Sequence, residues 1–451
     1  MSKELDTEDI GEIVNKLIHR LSDLDATLEL FVPKAIDEYN SRLDKAEGYY
    51  KQFKAYKKAN PDLFLESDND LEVAETSLGG DASSSLLVCD IQEHEAMLAL
   101  KQASKIYKAT LNSDIVNTLN QAIFLNSYSI WDAFTGELLS AVYRLKPELY
   151  SKFQKSVSFE LVMQANSIDE IKKRILEDDI ENFRRDSYIE QFKSLEKRFG
   201  FETLRQFELW ETFVEFSQKR NIVMHCNGVV SEQYISICKS VGIKESNLPT
   251  VGEKVELSTS DVVLSNYVMC VTGVMLAHTI WNKVLPKNRT EIDDSLSDIC
   301  FDLLCDEKWH HSVAIGEFIT NNLVAKDDAT SKINIINLAI GYEALGKEKQ
   351  LNKTLKSVDW SLLTLDFRLA EAVLLGEFPT AAKLMKKIGV EGDFVKRQSY
   401  HEWPLFHKFR DHLEFISAYK EIYKEAYFPS TSIDVEAMEA LEKDSMHSIQ
   451  E

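Results

Sequence analysis

Between Val262 and Trp281 the chain runs for twenty residues without one Asp, Glu, Lys or Arg. About 20 apolar residues in a helix can cross a bilayer. Ser265, Asn266, Thr272 and His278 interrupt this run, and polar segments flank it. It therefore reads as a core helix, covered by the rest of the chain, in preference to a membrane span. In that setting His278 is a core or rim histidine with its hydrogen bonds satisfied.

The covering material reads as helical. Gly (16) and Pro (8) are scarce among 451 residues, which predicts an all-α protein. Hydrophobic content of 44% and charged content of 28% are ordinary for a soluble globular chain. The length suits two or three domains. Six cysteines (89, 226, 238, 270, 300, 305) are scattered without a CxxC pair or Cys/His ligand spacing, so neither a structural metal site nor a disulfide framework is expected. The opening MSKELDTEDI lacks a signal-peptide layout, and a cytoplasmic location is expected.

In chain order, residues 3–58 read as two helices, the second following Pro33. Tyr49, Tyr50, Phe53 and Tyr56 form an aromatic stripe beside lysines. Such a stripe can stack on bases, but packing against a neighbouring helix is the preferred reading. Helices follow at 90–112, 114–145, 168–199 (one or two), Phe201–Met224, Tyr234–Lys239 and Val262–Trp281, with a short strand at Lys254–Leu257. The expected divisions are an N-terminal helical segment (1–65), an acidic then Ser/Gly-rich linker (66–88), a helical domain (89–287), a helical-repeat-like domain (288–428) and a polar tail (429–451).

The segment with chemistry to offer is Phe213–Tyr234, which contains Arg220-Asn221-Ile222-Val223-Met224-His225 and then Gly228. RNA carries its own nucleophile, the 2′-hydroxyl, so cleavage needs a base, an acid and a cation for the developing charge. His225 can serve as base or acid, because imidazole titrates near about 6.5. Arg220 offers donors matched to phosphate oxygens. Asn221 can orient phosphate or imidazole. Asn221 and His225 share a helix face, whereas Arg220 lies about 140° from His225. One copy of the helix therefore does not aim all three groups at one point, unless the arginine wraps around, the helix ends near Met224, or two copies share a site. Lys219 is a candidate substrate-binding residue. Asp132 and Glu137, on the 114–145 helix, are candidates to orient Arg220 or His225.

The sequence KRNIVMHCNG resembles the R-N-x-x-x-H motif of HEPN ribonucleases, small α-helical domains of toxins and antiviral effectors. Asn126–Leu139, with Trp131 and Asp132, is similar to the early helix of that fold, and Val262–Trp281 to its closing helix. The resemblance covers about residues 90–285 and implies a HEPN-like bundle that acts as a homodimer or higher oligomer. It also implies a metal-independent endoribonuclease with no cofactor, leaving a 2′,3′-cyclic phosphate, in a toxin or antiphage abortive-infection role. Arg220, Asn221 and His225 would be catalytic.

A net charge of −22 opposes a broad nucleic-acid-binding surface. A restricted target such as one tRNA loop fits it better than bulk RNA. The cations at Lys172, Lys173, Arg174, Arg184, Arg185, Lys193, Lys197 and Arg198 are interleaved with acids and read as a solvated helix face. Farther on, Ala344-Leu345-Gly346 and Leu374-Leu375-Gly376 stand 30 residues apart, each between two helices. The pattern resembles tetratricopeptide-type hairpins or else a plain helical cap, and residues 288–428 could dock a regulatory protein. Tyr400–Tyr427 reads as a final aromatic helix. The alternative function is a non-catalytic helical dimerisation and interaction protein, with no membrane role in either case. No Gly-rich phosphate loop supports nucleotide chemistry.

Overall fold

The structure, a computed structural model, describes residues 10–59, 93–152, 157–201 and 204–428. The expected linker 66–88 and tail 429–451 lie outside them. The fold is all-α. Its helices are α1 (Ile10–Ala59), α2 (Glu93–Leu111), α3 (Ile115–Leu145), α4 (Phe159–Gln164), α5 (Ile168–Arg185) and α6 (Tyr188–Phe199). Next come α7 (Trp210–His225), α8 (Glu232–Ser240), α9 (Thr259–Val284), α10 (Arg289–Cys305), α11 (Trp309–Asn322) and α12 (Asp328–Ala344). The last are α13 (Glu348–Leu355), α14 (Leu365–Leu374), α15 (Phe378–Ile388), α16 (Ser399–Glu402) and α17 (Leu413–Tyr423). In place of the expected strand at Lys254–Leu257 there is one antiparallel bridge, Val229 to Lys254.

Several helix starts follow from their capping residues. Ser167, Ser187 and Ser231 accept from the amides of Glu170, Glu190 and Tyr234 at 3.1, 3.3 and 3.2 Å, and Asp327 accepts from Thr330 at 2.7 Å. Each such cap contributes about 1 kcal/mol. Two segments depart from the sequence reading. First, α1 continues through Pro33 as a single helix. The proline removes one backbone donor, but Pro33 and Glu29 are both exposed, so water can satisfy the freed carbonyl. Second, Tyr400–Tyr427 is not one helix. Trp403, just before Pro404, is extended (φ −70°, ψ 122°) and ends α16. Arg410 then donates to the carbonyls of Tyr400 and Trp403 at 2.7 and 2.8 Å, satisfying the broken helix end.

The chain forms two compact units from interleaved stretches. The larger takes in the described parts of Met1–Ile18, Trp131–Thr212 and Tyr267–Glu451, and the smaller those of His19–Ile130 and Phe213–Asn266. In the larger unit α9 is a core helix: Val271, Val274, Leu276, Ala277 and Ile280 are fully buried. His278 is buried there too, with Nδ1 on the Val274 carbonyl at 2.8 Å and Nε2 on Ser295 Oγ at 3.1 Å. It is the satisfied core histidine the sequence suggested. In the smaller unit part of the aromatic stripe packs inward, with Phe53 buried and Tyr50 stacked on Tyr107 at 4.8 Å, while Tyr49 is exposed.

The C-terminal part of the larger unit contains three helical hairpins, α10/α11, α12/α13 and α14/α15, joined by one turn used three times. The turn residues Glu307, Gly346 and Gly376 are left-handed at φ 56°, 66° and 71°. The next residues, Lys308, Lys347 and Glu377, share one conformation (φ −80°, −84°, −80°; ψ 60°, 63°, 57°). Their amides donate to the carbonyls five residues back, Leu303, Tyr342 and Ala372, at 2.8, 2.9 and 2.8 Å. A common core including Leu304, Ile336, Trp360, Leu369, Met385 and Phe406 backs the hairpins.

Candidate active site

The smaller unit holds Arg220, Asn221 and His225 on the last two turns of α7. Their helix runs Trp210–His225 rather than Phe201–Met224, because left-handed Gly200 (φ 71°) stops α6 and the chain makes a further 3-10 turn before Trp210. Phe213, Val214 and Ile222 lie on its buried face. At the far end Asn227 (φ 50°) and Gly228 (φ 79°) are both left-handed and stop the helix.

That turn is held on both sides. The Gly228 amide donates to the Ile222 carbonyl, and the Val255 amide donates to the Gly228 carbonyl, both at 2.9 Å. A Cβ on Gly228 would fall 2.9 Å from the Val255 carbonyl oxygen. A small core of Ile222, Val230, Tyr234, Cys238 and Ile243 lies behind. The backbone under His225 is therefore anchored, while its imidazole is exposed and has no hydrogen-bond partner among the described residues.

Arg220 and Asn221 are brought together. Arg220 Nη1 donates to Asn221 Oδ1 at 3.2 Å. Arg220 Nε is buried and has no partner among the described residues. A buried donor without an acceptor costs about 1–3 kcal/mol, so this position is suited to an added acceptor. Lys219 is differently placed. Its ammonium is 3.0 Å from Glu215, 3.9 Å from Asp261 and 4.9 Å from the centre of the Phe216 ring. Two carboxylates thus meet the charge that sequence reading assigned to phosphate.

The network around Lys219 includes residues the sequence reading missed. Tyr234 donates its hydroxyl to Glu215 at 3.4 Å, and burial first, then Glu215, raises its pKa. Burial likewise pushes the Cys238 thiol up to about 12. Both stay protonated at neutral pH. The Glu215–Lys219 spacing of four residues was a visible signal for this pair; Asp261 comes from α9 and left none.

Asp132 and Glu137 lie in the larger unit, with partners of their own. Asp132 Oδ1 accepts from the Tyr188 hydroxyl at 3.2 Å, and Glu137 pairs with Lys16 at 3.2 Å. Most of the basic residues of α5 and α6 pair with acids on the same helices, among them Lys172–Asp169, Arg174–Glu170 and Lys193–Glu190, which fits the solvated-face reading. Among the described residues no group of three or more His, Cys, Asp or Glu side chains could hold a metal ion. Compared with known proteins, the chain has no significant match to a family model, a curated protein or a solved structure.

Proposed function

We propose that the chain is a metal-independent endoribonuclease of the HEPN type. The observation that carries this reading is the end of α7: an arginine whose buried Nε has no partner among the described residues, joined to Asn221, one turn before an exposed histidine that likewise has none. In this reading Arg220 binds the scissile phosphate and stabilises its transition-state charge. His225 moves the proton of the 2′-hydroxyl or of the leaving 5′-oxygen. Asn221 orients the arginine. Two copies meet at this end of α7, so that the arginine and histidine of a working site come from different chains. The RNA is a restricted target such as one tRNA loop, in keeping with the charge of −22 and with the neutralised Lys219. The setting is a regulated toxin or antiphage effector in the cytoplasm.

The test is purified protein with total RNA in EDTA. Cleavage that persists in EDTA, leaves 2′,3′-cyclic phosphate ends and disappears in both His225→Ala and Arg220→Ala supports the reading. Equal activity in His225→Ala overturns it.

A second reading, a non-catalytic interaction protein, is favoured by the hairpin array. A cleft of ≈ 570 Å³ opens beside the Gly346 and Gly376 turns, lined by Trp309, Leu351, Leu375 and Phe378 among others. Its size suits a peptide side chain or loop from a regulatory protein. Expression in a sensitive host separates the two. Toxicity of the wild type, with a harmless Arg220→Ala at equal protein level, favours the enzyme; equal growth of both favours the interaction protein.

A further inference from the structure

A cleft of ≈ 320 Å³ in the larger unit, lined from α3 by Ser140 and Arg144 and from α5 by Ile180 and Arg184, has no part in the ribonuclease reading. Arg184 is built into place there. Its Nε donates to the Asp132 carbonyl at 2.9 Å. Its guanidinium lies against Gly136, where a Cβ would come 2.0 Å from Nη2 and 2.7 Å from Cζ. Asp132 and Gly136 are one turn apart on α3, so the backbone of that helix sets the guanidinium plane. With Nε engaged, the two terminal amines have no partner among the described residues.

Three glutamates share the cleft, and each is already held by a cation. Glu137 pairs with Lys16 at 3.2 Å, Glu177 with Lys173 at 3.8 Å and Glu181 with Arg185 at 3.6 Å. The charge left over is the Arg184 fork. We propose that this cleft binds a small phosphomonoester. Two terminal N–H groups of one guanidinium match two phosphate oxygens. The Ser140 hydroxyl, lining the same cleft, suits the third oxygen, which a carboxylate does not have. Ile13 and Ile180 supply apolar wall for the organic part. The volume is at the low end of about 300–1,000 Å³ for small-molecule sites, enough for a small ester.

Calorimetric titration of the full chain at low ionic strength with methyl phosphate, and separately with acetate, tests this. The expected result is one methyl phosphate bound per chain and acetate at least about tenfold weaker. Arg184→Gln and Arg184→Lys each weaken methyl phosphate at least about tenfold, since lysine keeps charge but not the fork. Gly136→Ala does the same by displacing the guanidinium. Lys193→Gln, whose lysine sits on Glu190 away from the cleft, binds within about twofold of the wild type. Thermal unfolding of each variant confirms a folded chain, and if Gly136→Ala is unfolded the two Arg184 variants decide. No methyl phosphate binding, acetate binding as tight as methyl phosphate, or wild-type affinity in Arg184→Gln or Arg184→Lys overturns the proposal.

Discussion

The hairpin region and the end of α7 use the same device, a helix stopped by a left-handed residue, to different ends. In the hairpins one left-handed residue turns the chain directly into the next helix, and the turn is repeated nearly angle for angle at Glu307, Gly346 and Gly376. After α7 two such residues in succession, Asn227 and Gly228, lead the chain away to a bridge with residue 254 and leave His225 at the surface. The difference is between a turn that serves packing and one that presents a side chain. Substitutions at the two places should therefore report on different things.

The largest expected effect is on chemistry. His225→Ala should lower RNA cleavage about 10²–10⁴-fold, the range of a general acid or base. Stability should change by no more than about 0.5 kcal/mol, because the side chain is exposed and unpartnered. Cleavage assays and denaturant titration on the same preparation check both halves. A variant that unfolds instead would make His225 a packing residue, and the contrast with the hairpins would be lost.

Next is a buried α-helical histidine, His278. Burial lowers its pKa from 6.5 to about 4. The unfolded chain therefore takes up the proton first as pH falls. The stability tied to neutral His278 is complete above pH 6.5, declines between 6.5 and about 4, and is gone below. The loss approaches about 3 kcal/mol over that window. Urea titrations at pH 7, 5.5 and 4.5 measure it. His278→Asn, which cannot titrate, should show a shallower decline over the same range; an unchanged slope would show that the decline belongs to other groups.

How far these contrasts could be read from sequence depends on the range of the interaction. Local patterns were legible. The uncharged run at Val262–Trp281 gave a buried helix, and Leu-Gly at 345–346 and 375–376 gave two hairpins. The third hairpin was hidden because glutamate stands at the turn position, where no residue preference marks it. Pro404 was visible in the sequence, yet the aromatic spacing around it suggested one helix. Pairings across helices were not legible. Nothing near Lys219 in sequence points to Asp261, and nothing near Arg184 points to the Asp132 carbonyl. The orphaned Arg220 Nε is likewise a property of packing, since residue type and spacing do not say which donors burial leaves unmatched.

The smallest effects sharpen the comparison of turns. Gly228→Ala combines left-handed strain with a 2.9 Å approach to the Val255 carbonyl, which is backbone and cannot move aside cheaply. It should cost about 2–3 kcal/mol. Gly376→Ala meets nothing within 4 Å, so only the backbone term remains, about 1 kcal/mol. Glu307→Gly removes an existing strain at φ 56° and should stabilise by about 0.5–1 kcal/mol. The sign of this last change is the sharpest test of the repeated turn. If Glu307→Gly destabilises, the glutamate side chain contributes something that Gly346 and Gly376 do without, and the three hairpins are alike in backbone angles but not in energetics. Chemical denaturation of the three variants, compared at equal m-value, reads both the order and the sign.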